Sequence, residues 1–326
     1  MPNTSSPTAP ARHPGLFSTL ALLGLLAACS SAPPTASPRV TPEGSPGVPL
    51  TPTSGPTSTP AASTTAPASP TTGAISHPTG AREVVLRMEV GGGFMPLGFL
   101  VTQAPQFTLY GDGTVIFQPS TDMVDPAREG LPRFVQGLLD RDGVQALLAF
   151  ALGPGRLLAA REHYGQDTCA DCPTTIFTLN AAGMAKTVTV DALGMVEPTG
   201  PDGEARRGLA ALAETLAGFD ARAREGELGE ATLYDPTHYR VFLLEGAGDP
   251  AHVLDWPWDD VTPDDFAAEG EDWRRRLVLD REHVAAVAEV PNGGVPHIYV
   301  VDDAGTLWEI GVRPLLPDEL AGEGLD

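Results

Sequence analysis

Phe107-Thr108-Leu109-Tyr110, Gly111-Asp112-Gly113 and Thr114-Val115-Ile116-Phe117 form two apolar, β-rich runs of four residues joined by a short turn of glycine and aspartate. Glycine, and less readily aspartate, tolerates the positive φ angles of tight hairpin turns, so the stretch predicts two paired antiparallel strands. The device recurs twice. Ile176 to Leu179 and Thr187 to Val190 flank a turn ending near Gly183, while Ile298 to Val301 and Thr306 to Ile310 flank Asp302-Asp303-Ala304-Gly305. Further strands are expected from Val84 to Val90, ahead of the break Gly91-Gly92-Gly93-Phe94-Met95-Pro96, and at Tyr239 to Leu244 and Arg276 to Leu279.

Helices are expected between these pairs. Val144, Leu147, Leu148 and Ala151 fall at 3.6-residue spacing behind Asp140 or Asp142 as N-cap, and Gly153-Pro154-Gly155 ends the run. Leu209, Leu212, Leu216 and Phe219 repeat the pattern behind Asp202, and a short helix fits Glu282 to Glu289. Hairpins in place of long crossovers predict an α+β fold of antiparallel sheets with helices packed on one face, preceded by a disordered linker. The stretch from Ala221 to Thr237 is charged and weakly periodic, which places a boundary between a first half, 82–225, and a second, 226–326.

The 326 residues carry 42 acids against 20 bases, a formal charge of −22. Such a surface repels phosphate backbones and anionic headgroups, which excludes nucleic acid as a partner and electrostatic membrane binding by the folded part. The first 80 residues hold one acid, Glu43, and two bases, Arg12 and Arg39. The remainder is long enough to bury about 70 per cent of the surface its unfolded chain exposes.

Pro14 to Ala28, PGLFSTLALLGLLAA, is an apolar run behind Arg12 and His13. A membrane span needs about 20 apolar residues, and this one stops short and meets a polar tract, so 1–28 reads as a signal peptide. Leu26-Ala27-Ala28-Cys29 resembles the lipobox of bacterial lipoproteins. The resemblance implies cleavage between Ala28 and Cys29 and lipidation of the Cys29 thiol, with two or three acyl chains meeting the requirement of stable anchoring for more than one. The membrane then becomes a partner through the anchor only. The implied localisation is exported, lipid-anchored to the bacterial cell membrane and facing the extracytoplasmic side.

From Ser30 to Gly80 only Arg39, Val40, Glu43, Val48, Leu50, Ile75 and His77 are not Ser, Thr, Pro, Ala or Gly. So little apolar side chain cannot offset the backbone ordering entropy, and 29–81 reads as a disordered tether behind the lipidated cysteine. Its reach is about 160 Å as polyproline II and about 40 Å as a flexible coil.

Catalytic motifs are mostly wanting. Ser120, the sole serine beyond Gly80, has no G-x-S-x-G around it. Lys186, the sole lysine, follows Gly183 at the position where S-x-x-K needs a hydroxyl. No H-E-x-x-H occurs, the histidines His163, His238, His252, His283 and His297 are scattered, and Gly91-Gly92-Gly93 opens neither a P-loop nor a dinucleotide fingerprint.

Cys169 and Cys172, in Thr168-Cys169-Ala170-Asp171-Cys172-Pro173, have the spacing of a redox pair or half a zinc site. Pro173 and a β-rich run follow, in place of the helix whose N-terminus would lower a thiol pKa, and a zinc site would have His163 as one further ligand and no second C-x-x-C. An exported pair defaults to a disulfide. Asp255-Trp256-Pro257-Trp258-Asp259-Asp260-Val261-Thr262-Pro263-Asp264-Asp265 gathers five carboxylates and two tryptophans, a composition suited to calcium, to sugar stacking or to glycoside hydrolysis. Capping by Asp264 and Asp265 and core packing by the tryptophans account for it better, and no D-x-[DN]-x-[DN]-G loop is present. Asp140-Arg141-Asp142-Gly143 resembles a fragment of a calcium loop, with capping the simpler role.

Gly92-Gly93-Phe94-Met95-Pro96, Phe107 to Val115, Pro173 to Leu179 and Arg313-Pro314-Leu315-Leu316-Pro317 together resemble uncharacterised lipoproteins of high-GC bacteria, over most of the folded region. That likeness implies the anchor and the fold and no activity. The expectation is a non-catalytic binding or interaction module, with no cofactor, metal or catalytic residue assigned and a cell-wall, glycan or protein partner left open. The alternative is an extracytoplasmic hydrolase using carboxylates near Asp255 to Asp265.

Overall fold

The computed structural model describes residues 73–119, 133–166, 169–246, 253–268, 274–288 and 297–325. The signal peptide, Cys29 and most of the expected tether lie outside them, as do Ser120 and His252. The fold is α+β, with two mostly antiparallel sheets built from hairpins and helices packed against them.

The first sheet comprises β1 (Val84–Gly92), β2 (Phe107–Tyr110), β3 (Thr114–Phe117), β4 (Val135–Leu138), β5 (His163–Tyr164), β6 (Pro173–Ala181), β7 (Met184–Asp191) and β8 (Thr232–Leu233), in the order β5-β7-β6-β1-β2-β3-β4-β8. The Gly-Asp-Gly turn joins β2 to β3, with Leu109 opposite Val115 and Phe107 opposite Phe117. Asp112 accepts from the Thr114 N–H at 2.9 Å, and Gly113 takes φ 93°, the left-handed region that favours glycine. β8, two residues within the charged stretch at 221–237, pairs with β4. The β5–β7 contact is parallel and only two residues long.

Alternation along these strands sorts the side chains. Leu86, Met88, Phe107, Leu109, Phe117, Phe177 and Val188 lie on one face under α2 (Arg141–Leu152) and α3 (Gly203–Ala217), and α1 (Leu97–Thr102) leaves by the other side. α2 is capped as expected by Asp140, which accepts from the Gly143 N–H at 2.7 Å, and it ends at Gly153. Its Leu147 and Leu148 are almost fully buried, each stabilising the fold by about 1.5–3 kcal/mol. α3 departs from the periodic reading at both ends. Asp202 makes no capping hydrogen bond and instead pairs with Arg161 at 2.5 Å. The helix stops at Ala217, and Phe219 opens a separate short helix, α4 (Phe219–Arg224), while its ring still reaches the core 4.5 Å from that of Phe107.

The second sheet comprises β9 (His238–Glu245), β10 (Leu254–Asp255), β11 (Ala267–Ala268), β12 (Arg274–Asp280), β13 (His297–Val301) and β14 (Leu307–Pro314), in the order β10-β13-β14-β9-β12-β11. Val241, Leu243, Ile310 and Val312 on one face pack with Val284 and Val287 of α5 (Arg281–Ala288). The opposite face receives α1, where Val101 packs on Phe242 and Leu244. That approach needs Gly311, since a Cβ there would lie 2.8 Å from the Thr102 methyl.

α6 (Pro317–Gly322) ties the two sheets together by charge. Asp318 accepts from Arg87 at 2.6 Å and from the Tyr110 phenol at 2.7 Å, both on the first sheet. Glu319 accepts from Arg313 at 2.6 and 2.9 Å and from Arg240 at 3.3 Å, and Glu323 from Arg240 and Arg276 at 2.8 Å, all on the second.

Candidate functional site

The chain reaches the first sheet at one end and opens a cleft at the other. Ser76 accepts a hydrogen bond from Ala182 at 2.7 Å, in the turn between β6 and β7, so the segment leading from the N-terminal tract docks there. β7 then runs eight residues, about 26 Å, to Asp191 at the far end. Ala192 and Gly194 adopt positive φ and turn the chain back, held by the Ala192 N–H to Pro173 and the Met195 N–H to Ala192.

The loop that follows and the flank of α3 enclose a cleft of about 620 Å³, with Leu193, Met195 and Val196 on one wall and Ala210 and Ala211 on the other. That volume is in the range that takes small molecules. Four charged residues also line it: Glu197, Arg206, Arg207 and Glu214. Arg207 donates to the Pro198 carbonyl at 3.0 Å and stays exposed.

Arg206 is 8% exposed. It stands three residues before Leu209 on the buried stripe of α3, where the periodicity asks for an apolar side chain. Its guanidinium donates to three main-chain carbonyls, Asp191 at 3.0 Å, Tyr164 at 2.9 Å and Gly165 at 2.6 Å. These bonds fasten α3 to the ends of β5 and β7, and none supplies a negative charge. The Asp191 carboxylate accepts from Thr174 at 2.9 Å and lies 3.7 Å from His163. The sequence reading passed over this cleft. Its one legible sign is the arginine that interrupts a leucine stripe.

Beside the same sheet end lie the two cysteines. Cys169 and Cys172 are joined by a disulfide with Cα atoms 5.6 Å apart, just before β6. Gly93 packs against that turn, and the next residue, Phe94, is 92% exposed. His163 is 60% exposed on β5. Among the described residues no three His, Cys, Asp or Glu side chains come together as metal ligands.

The acidic segment is occupied by its own architecture. Trp258 is buried, its indole donating to the His283 carbonyl at 2.9 Å, and Trp256 donates to the Val261 carbonyl at 2.6 Å, with the two rings edge to face at 5.4 Å. Phe266 packs against both rings. Asp265 accepts from the N–H and hydroxyl of Thr262 at 2.8 Å, and the N–H bond holds its carboxyl below the ordinary value. Asp260 and Asp280 flank His283, accepting from Nε2 at 3.2 Å and Nδ1 at 2.8 Å. The Asp280 bond, then the Asp260 bond, raise the imidazole pKa, so His283 favours the imidazolium. Asp255 sits on an edge strand. The rings that could serve as a sugar platform are thus turned into the second core.

Of the other histidines, His238 opens β9 with Nδ1 3.0 Å from the Thr237 hydroxyl, and His297 opens β13. Lys186 donates to the Ala160 carbonyl at 2.5 Å. No protein-family model matches the chain, nor does any curated protein or solved structure.

Proposed function

We propose that this chain is a lipoprotein held through Cys29 on the extracytoplasmic side of the bacterial membrane, and that its folded part binds a partner without transforming it. The observation that carries this reading is the placement of the cleft. It opens at the end of the first sheet opposite the Ser76–Ala182 contact. The Ser/Thr/Pro/Ala tract supplies the reach between anchor and module. The described residues that line the cleft are apolar side chains with two arginines and two glutamates. The likeness of Leu26-Ala27-Ala28-Cys29 to a lipobox supports the anchor.

Growing cells on a fatty-acid probe tests the anchor. Wild type is expected to carry label and Cys29→Ser none, and equal label in both rejects the assignment. Incubating the detergent-solubilised full chain with glycan and ester substrates tests the other half. No turnover is expected; turnover lost in Asp259→Asn or Asp260→Asn would establish the alternative, a hydrolase acting through the carboxylates of Asp255 to Asp265.

A further inference from the structure

We propose that the cleft between the loop after β7 and α3 takes a small molecule with one carboxylate and an apolar body, the carboxylate pairing with Arg206. The proposal rests on the reading of this cleft as the binding site and names its ligand class.

Arg206 carries the argument. A guanidinium has five N–H donors and cannot shed its charge, so burial leaves it to be compensated by a neighbouring anion. Here three hydrogen bonds, one from Nη1 and two from Nη2, go to neutral carbonyls. No ion pair between Arg206 and a carboxylate occurs among the described residues, and its three bonds to carbonyls leave two of its five N–H groups for water or a ligand. Arginines elsewhere in the fold that are buried to a similar degree are treated differently: Arg313, 7% exposed, has Glu319 within 2.6 Å. Arg206 is also one of the residues that line the cleft, and the proposed carboxylate would meet its guanidinium from that side. Arginine–carboxylate contact is among the stronger charge-assisted hydrogen bonds, more so where water is largely excluded.

The rest of the lining sets the class. The lining sets Arg206 and Arg207 against Glu197 and Glu214, so a monoanion meets less repulsion from the glutamates than a phosphate dianion. Leu193, Met195, Val196 and Ala210 give the remainder of the ligand an apolar wall in an open cleft, and Met195, 62% exposed, supplies a flexible thioether beside it.

Equilibrium dialysis of the detergent-solubilised full chain against labelled hexanoate and its neutral isostere hexanamide, each corrected for protein-free micelles, tests the proposal. Hexanoate is expected to bind saturably and at least tenfold more tightly than hexanamide. Ala210→Phe, which fills the cleft and leaves the Arg206–carbonyl bonds in place, should abolish hexanoate binding. Arg206→Met, where it folds, should erase the difference between the two probes. Inorganic phosphate should leave hexanoate bound. Equal affinity for the two probes, displacement by phosphate, hexanoate binding that survives Ala210→Phe, or no saturable binding at all would each overturn the ligand class. Labelling at Cys29 and absence of turnover are read independently, so failure here is distinct from failure of the anchored, non-catalytic reading.

Discussion

The phenol of Tyr110 donates to the Asp318 carboxylate at 2.7 Å across 208 residues of chain, and Arg87 donates to the same oxygen at 2.6 Å. Tyr110 is fully buried, and burial first, then the Asp318 charge, pushes its phenol pKa up. One carboxylate at the start of the last helix therefore satisfies two donors on the far side of the first sheet.

Removing that carboxylate leaves both donors without their acceptor. Asp318→Ala should destabilise the fold by about 2–3 kcal/mol, short of the value for a fully buried pair because Asp318 is 20% exposed. In a thermal melt this is a loss of about 5–10 °C. Asp318→Asn, which keeps an acceptor oxygen, should lose clearly less. Equal melting of wild type and Asp318→Ala would show that α6 does not clasp the first sheet in solution.

Glu319 makes the second sheet's share of the clasp pH-dependent. Burial pushes its carboxyl up, but the Arg313 hydrogen bonds and charge, the Leu316 N–H and Arg240 outweigh burial and hold it below the ordinary 4.5. A carboxyl depressed in the folded state contributes stability that is present above about pH 4.5 and lost as pH falls through the folded value. Glu319→Gln should therefore be less stable than wild type at pH 7, with the gap narrowing below pH 4.5. Urea midpoints at pH 7 and pH 3 measure it, and an unchanged gap would count against the ion pairs.

Cys169 and Cys172 close a very short loop, so their bond restricts the unfolded chain little. The double replacement Cys169→Ala, Cys172→Ala should lower stability by no more than about 2 kcal/mol, a few degrees of melting temperature. Intact mass after alkylation without reduction should show no modified thiol at these positions in exported protein. Two alkylated thiols would refute the bond, and stoichiometric zinc in that sample would bring His163 forward as a ligand.

Gly113 is fixed by its turn. Beyond its positive φ, a Cβ there would lie 2.5 Å from the Leu139 carbonyl oxygen. Gly113→Ala should destabilise by at least about 1–2 kcal/mol through strain and the main-chain shift it forces. A calorimetric melt within a degree of wild type would show that the hairpin end yields freely.

What was legible in the sequence is what is decided locally. The hairpins β2–β3, β6–β7 and β13–β14 and the cap on α2 each rest on residues within a few positions of one another, so turn chemistry and periodicity suffice. The end of α3 was misread because Phe219 keeps the helical spacing while Gly218 breaks the backbone, and its side chain reaches the same core from a new helix. Asp202 looked like a cap and was taken instead by Arg161, 41 residues away.

The cleft and the α6 clasp belong to the tertiary structure alone. The worth of a charge depends on which partner the fold brings within about 3 Å and how much water is left beside it, and neither is written in spacing. Read along the chain, neither Arg206, beside Arg207 and Glu204, nor Arg313, among apolar residues, shows what will partner it. Folding gives Arg313 a carboxylate and gives Arg206 three carbonyls and an open cleft. Trp256 and Trp258 likewise admitted a ligand platform or a core, and the packing of Phe266 and α5 around them decided for the core. The sequence by itself determined the three hairpins, the strands β1, β9 and β12 and the likeness to an anchor signal, because those follow from neighbouring residues, whereas the short strands β5, β8, β10 and β11 and the four-residue β4 appear only through their pairing. Only the tertiary structure decided which charges meet a carboxylate and which meet neutral carbonyls, because those partners lie far apart in the chain.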